Sequence, residues 1–290
     1  MKWSVKLKSI SPLILIIVLM SSCSTNRNYR QRGIANFQSC LSLMNDLIAY
    51  RPHTGPAASD FLQAKSLDEL ESLYGGESLI EIQRNLSDET IKKYNAHTMA
   101  LLDEDFKIKD IPGKKNFLTK EEANVIYNAM SESKVNKNHN CYDTDGTIGF
   151  CFGRATIAHL EAIVRNVNPE AIRKIWIAGD MGKWGHHVAT IVKAEKGWYV
   201  LDTEIGFVLS HEHWVSIYLP LKEPKANEIM VFTTQAGRFS PYDTQTYNAM
   251  NLFNTNSSDF EKVSDYYRGY FHDYFEDLDS VKREPLSLPE

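Results

Sequence analysis

A cysteine, a histidine and an aspartate can together make a thiol nucleophilic: the imidazole takes the thiol proton, and the carboxylate holds the imidazole in one tautomer and makes it more basic. In this chain of 290 residues the three types occur in that order as Cys151, His187 and Asp202. Before Cys151, Gly146 and Gly149 mark a turn; after it, Ala155, Ala158 and Ala162 continue an apolar helical spacing that ends at Asn168-Pro169. The cysteine therefore opens a helix, where unsatisfied backbone N–H groups and the positive end of the dipole favour a thiolate. Strand-like runs follow over 172–178, 187–193 and 198–202, the last two separated by Ala194-Glu195-Lys196-Gly197. With those four residues as a hairpin loop, Lys193 opposes Trp198 and His187 opposes Glu204. Asp202 then shares the face of His187 as a diagonal neighbour, about 7–8 Å away before side chains reach out. Glu204 is an alternative orienter, and a slip of one residue in register would undo the arrangement. Taken singly, the plainer readings are a structural cysteine packed under a helix and a strand histidine with ordinary hydrogen bonds.

The local strings add specificity. Cys151-Phe152-Gly153-Arg154-Ala155, His187-Val188-Ala189-Thr190-Ile191-Val192 and Val200-Leu201-Asp202 resemble the bacterial protein glutaminases, thiol enzymes of the transglutaminase-like branch that deamidate glutamine side chains in proteins. The resemblance spans roughly residues 117–220 and departs at Thr203, where the family often has proline. It implies an α+β fold with a transglutaminase-like or papain-like core, a nucleophile helix packed on an antiparallel sheet. It also implies a mechanism in which Cys151 attacks a glutamine carboxamide, His187 moves the proton, Asp202 holds His187, and water hydrolyses the thioester. The implied substrate is a protein or peptide with an exposed glutamine, with no cofactor. A transglutaminase or a cysteine protease on the same scaffold, and a catalytically idle binding lipoprotein, are the alternatives.

Around that core, the backbone N–H of Cys151 is the natural first oxyanion donor. Trp184 is a candidate second donor through its indole, with packing as its other role, and Arg154 is a candidate for steering an acidic substrate or for a structural ion pair. His186 competes with His187; adjacent strand residues point to opposite faces, so one is expected to face the cysteine, and the His-Val-Ala string begins at His187. His211-Glu212-His213 would put two imidazoles on one strand face, but with no third ligand at a suggestive spacing no metal is expected. The glycine-rich segment 179–185 is read as a loop beside the site, and no Walker loop, Gly-x-Ser-x-Gly elbow or His-Glu-x-x-His string occurs.

The elements that must hold these residues are mostly legible. Helical patterns cover 37–48, 66–74 and 80–102, and Thr119 with Glu122 forms a capping box ahead of Ala123, Ile126, Tyr127 and Met130. A strand is expected near 229–234, and Ser258 with Glu261 caps a C-terminal helix carrying Phe260, Val263, Tyr267, Tyr270 and Tyr274. At the N-terminus, Lys2, Lys6 and Lys8 precede an apolar run over 13–20, too short to span a bilayer, then Ser21-Ser22-Cys23. Leu19-Met20-Ser21-Ser22-Cys23 resembles a bacterial lipobox, implying lipidation of Cys23 by acyl chains, palmitate among them. An ordinary signal peptide with a chance cysteine is the other reading. The expected organisation is a lipoprotein signal peptide (1–22), a tether (23–33), a helical N-terminal region (34–115), the catalytic core (116–220) and a C-terminal strand and helix (221–290). The implied location is the cell envelope, on the outer membrane in a Gram-negative cell because Ser24 rather than aspartate follows the cysteine.

Composition, 43% hydrophobic and 24% charged, is that of a globular protein. The net charge is −5, and removing the three lysines of residues 1–22, a segment without acids, takes it to −8, which argues against a nucleic-acid partner. With Cys23 lipidated and Cys151 kept as a thiol, Cys40 and Cys141 are left to pair across a loop of about 100 residues, worth up to ~4.7 kcal/mol by chain entropy.

Overall fold

A four-residue loop between two β-rich runs makes an antiparallel hairpin, and this hairpin is the centre of the molecule. The computed structural model describes residues 58–74, 77–104, 108–138, 150–182, 184–242, 246, 270–271, 273–278 and 283–287. The apolar run 13–20, Cys23, Cys40, Cys141, the 37–48 pattern and the Ser258 capping box lie outside the described residues.

The protein is a mixed α and β structure around an antiparallel sheet. Strands β1 (Ile172–Ala178), β2 (His186–Lys193), β3 (Trp198–Leu201), β4 (Leu209–Ser210) and β5 (Met230–Gln235) lie in the order β4-β3-β2-β1-β5. Lys193 pairs with Trp198 and Thr190 with Leu201, the register expected from the loop length. The β1–β2 connection is closed by its own bonds, Gly179 N–H to the Gly185 carbonyl at 3.0 Å and Met181 N–H to the Trp184 carbonyl at 2.9 Å.

The longer helices among the described residues are α1 (Leu67–Tyr74), α2 (Leu79–Asn85), α3 (Asp88–Asp103), α4 (Lys120–Glu132), α5 (Cys151–Val164) and α6 (His211–Tyr218). The expected single helix over 80–102 is two. Leu86 and Ser87 are extended, and Ser87 caps α3 by accepting from the Thr90 N–H at 3.2 Å, with Asp88 and Glu89 in the first turn where the dipole favours acids. The α4 capping box forms as expected between Thr119 and Glu122. His211-Glu212-His213 is not a strand but the first turn of α6, capped by Ser210. A helix turns about 100° per residue, so His211 and His213 part company, one buried and one exposed.

Two apolar clusters cover the sheet. One joins α1, α2, α3 and α6 to the strands; the other joins α4, α5 and the aromatics Tyr270, Phe271 and Tyr274. Ile191 belongs to the first and Val192 to the second, as alternation requires of a strand covered on both faces. A hydrogen bond from Thr190 Oγ1 to the Ala155 carbonyl, 2.6 Å, fastens α5 to β2 and so fixes the cysteine helix against the histidine strand.

Candidate active site

The cysteine helix begins abruptly. Phe150, its N-cap, is left-handed at φ 46° and ψ 21°, and no side chain caps the helix. For a bulky residue this conformation costs roughly 1–3 kcal/mol and persists only where packing enforces it. Here Phe150 is fully buried, stacked on Tyr270 with centroids 4.8 Å apart and on Phe152 at 5.8 Å. Phe150 itself offers the helix no cap, and Cys151, the first residue of α5, carries a free, buried thiol.

His187 and Asp202 meet as the hairpin register requires. His187 Nε2 donates to Asp202 Oδ2 at 2.8 Å, with both side chains 4% exposed. The ladder stops at Leu201, one residue earlier than expected, and the chain turns so that the carboxylate reaches back over the sheet end. That same Oδ2 accepts from Trp214 Nε1 at 2.8 Å and from Tyr218 Oη at 3.0 Å, while Oδ1 accepts from the Glu204 N–H at 3.1 Å. Four donors on one buried carboxylate keep it ionised. Although burial opposes the charge, His187 and Trp214 hold Asp202 well below the usual carboxylate range.

The ring of His187 is packed among aromatics: Tyr218 at 4.8 Å, Trp184 at 5.9 Å and Trp214 at 5.9 Å between centroids, all roughly parallel. Burial alone would lower its pKa, but the charge and hydrogen bond of Asp202, and then Cys151, push it up to about 10. Burial would likewise raise the Cys151 thiol, yet hydrogen bonds to His186 and His187 and their charges hold it well below the ordinary thiol value. With Nε2 given to Asp202, Nδ1 of His187 is the nitrogen left for the thiol.

The expectation that only one of the adjacent histidines bears on the cysteine does not hold, because both favour ionisation of its thiol. His186 is the first residue of β2 and sits edge-on to Tyr242, 5.8 Å between centroids. Alternation sets the direction of Cβ, but at a strand end two long rings converge on a group lying beyond the sheet. Arg154 is buried and pairs with Glu204 at 2.9 Å, so Glu204 serves Arg154 and does not orient His187. Trp184 stacks on His187 and packs against the core.

Three participants escaped the sequence reading. Trp214 and Tyr218, four residues apart on α6, face Asp202 together; Ser210 ahead of an aromatic i, i+4 pair was the available signal. The third is Lys174, buried on β1 with Nζ donating to the Arg238 carbonyl at 2.5 Å. Burial pushes its pKa down to about 7, and the Cys151 charge draws it back. Only the tertiary structure brings it into the field of the thiol.

A buried thiol, two imidazoles and an oriented carboxylate define a site suited to acyl chemistry on an α+β scaffold. Neither a family model nor a curated protein sequence matches the chain. Among solved structures, one described as a crystal structure of pro-protein-glutaminase aligns at TM-score 0.36 and 14% identity, covering 58% of this chain and 65% of that one. The chain thus spans under two thirds of that protein's length, at a likeness below the level from which a shared fold follows.

Proposed function

We propose that the protein is a thiol amidohydrolase that deamidates glutamine side chains of proteins or peptides, acting through Cys151, His187 and Asp202. The observation that carries the reading is the buried His187 to Asp202 bond at 2.8 Å, with the free, buried thiol of Cys151 in the field of the same imidazole. The Cys151 thiolate adds to the carboxamide carbon, and the oxyanion is received by N–H groups at the start of α5. Imidazolium His187 gives its proton to the departing nitrogen, so ammonia leaves and a thioester remains. His187, now neutral, takes a proton from water; hydroxide adds to the thioester, and glutamate departs with the thiol restored. Cys151 is only 8% exposed, which favours a slender side-chain carboxamide over a main-chain bond.

The core belongs to the transglutaminase-like branch in this reading, and the lipobox-like segment ending at Cys23 tethers it to the cell envelope. Ammonia release from glutamine-bearing protein, run beside peptide cleavage and amine incorporation, is the test. Ammonia without cleavage or incorporation, lost in Cys151→Ala and His187→Ala, is expected. Ammonia release by Cys151→Ala at the unmodified protein's rate would falsify the assignment.

A further inference from the structure

At the opposite end of the β2–β3 hairpin from Asp202 lies a cleft of about 520 Å³ lined by Asp103, Lys193, Glu195, Lys196, Gly197 and Glu212. His211, the first residue of α6, lies beside the Asp103 and Glu212 that line it and is 1% exposed. Neither ring nitrogen completes a hydrogen bond. Asp103 Oδ1 stands 3.2 Å from Nε2 but misaligned, Glu212 Oε2 is 3.7 Å from Nδ1, and the Trp198 backbone carbonyl is the other acceptor nearby. A buried imidazole with no completed bond costs free energy that folding ordinarily avoids. One oxygen each from Asp103 and Glu212 and one ring nitrogen of His211 lie within 4.8 Å of one another.

We infer that Asp103, His211 and Glu212 form a binding site for a first-row divalent cation of the zinc type. Bonds of about 2.0–2.2 Å place donors roughly 3–4 Å apart, so the two carboxylates, both about half exposed and now facing different ring nitrogens, would have to turn toward one nitrogen of His211 to close the cluster. One imidazole with two carboxylates is a borderline donor set that suits Zn²⁺ better than Mg²⁺ or Ca²⁺, which take oxygen ligands. Asp103 closes α3, whose C-terminal dipole end favours a cation, and the ammonium of Lys193 lies over the Trp198 ring at 5.3 Å. Gly197, at φ +66°, lets the hairpin rest on the imidazole, since a Cβ there would stand 2.9 Å from His211 Cε1. The ion would tie α3 to α6, the helix that presents Trp214 and Tyr218 to Asp202. The inference does not depend on the chemistry assigned to Cys151.

The experiment is calorimetric titration of Zn²⁺ into the full chain carrying Cys151→Ala, so that no zinc is held by the active-site thiol. Asp103→Asn and Glu212→Gln are then added singly on that background. Because both carboxylates are about half exposed, metal-free Tm is expected to stay constant. Saturable Zn²⁺ uptake that raises Tm and weakens ~10-fold or more in each variant is expected, with no matching response to Mg²⁺. Uptake equal in parent and variants, no saturable uptake, or equal binding of Mg²⁺ overturns the site.

Discussion

Asp202 determines the chemistry of its neighbours more than any other residue, because its charge is what raises His187 and, through it, lowers Cys151. Thiolate character should therefore persist well below pH 8.5, and iodoacetamide labelling of Cys151 should lose its low-pH component in His187→Ala. The two activities should separate at the alkaline end. As pH rises through about 10, His187 gives up the proton that ammonia needs, so deamidation falls while alkylation does not. Matched pH profiles of both rates check this; profiles that fall together would show that the proton comes from elsewhere. Tyr218→Phe removes a 3.0 Å donor from Asp202 without leaving a cavity. It should cost up to about 1.5–3 kcal/mol, the worth of a hydrogen bond to a charged group, and lower kcat more than KM. His186→Ala should keep measurable turnover, since the His187–Asp202 couple is untouched, and should raise the pKa of alkylation.

At the scale of elements, the placement of Cys151 depends on the entry of the chain into α5. Phe150 is held left-handed by Tyr270, and a Cβ on Gly153 would stand 3.0 Å from Tyr270 Cε1 and 3.3 Å from Phe150 Cδ1. Gly153→Ala should therefore destabilise the protein by about 1–3 kcal/mol, through overpacking in place of the usual helix-propensity gain. Urea denaturation measures this, and a stabilised variant would show that the aromatic stack yields freely. The hairpin was readable because a four-residue loop and alternating apolar residues leave one register. The break at Leu86-Ser87 was written in the Ser87 cap as well, but the apolar spacing on either side ran through it. The start of α6 was misread because His211-Glu212-His213 resembles alternation, whereas Ser210 was its capping signal.

For the whole molecule, linkage follows from three groups, of which Cys151, lowered below the ordinary thiol value, gains stability as pH rises toward that value and so offsets His187 up to there. His187 is raised from 6.5 to about 10, so its contribution to stability is complete below pH 6.5 and is lost as pH rises through about 10. Asp202 is lowered, so its contribution is complete above the ordinary carboxylate pKa and is lost only as pH falls through its depressed value. Stability should thus fall at alkaline pH, and His187→Gln should flatten that limb in urea titrations at stepped pH. Among the described residues no helix is long and apolar enough to cross a membrane. Membrane association, in the proposed reading, rests on Cys23; Cys23→Ala should abolish labelling by a palmitate analogue, and equal labelling would sink the lipoprotein reading.

By itself the sequence determined what is local. The capping box at Thr119, the helix starting at Cys151, the hairpin and its register all arise from residues a few positions apart, where backbone geometry leaves few options. It also brought His187 and Asp202 within reach, since register carries face and neighbour together. Tertiary structure decided the rest. Trp214 and Tyr218 meet Asp202 because α6 folds back over the hairpin, Lys174 enters the field of Cys151 across the sheet, and Asp103 reaches His211 from the end of α3. These meetings depend on how buried faces pack between elements, and the charge state of every group in the site depends on that burial, which no spacing along the chain encodes.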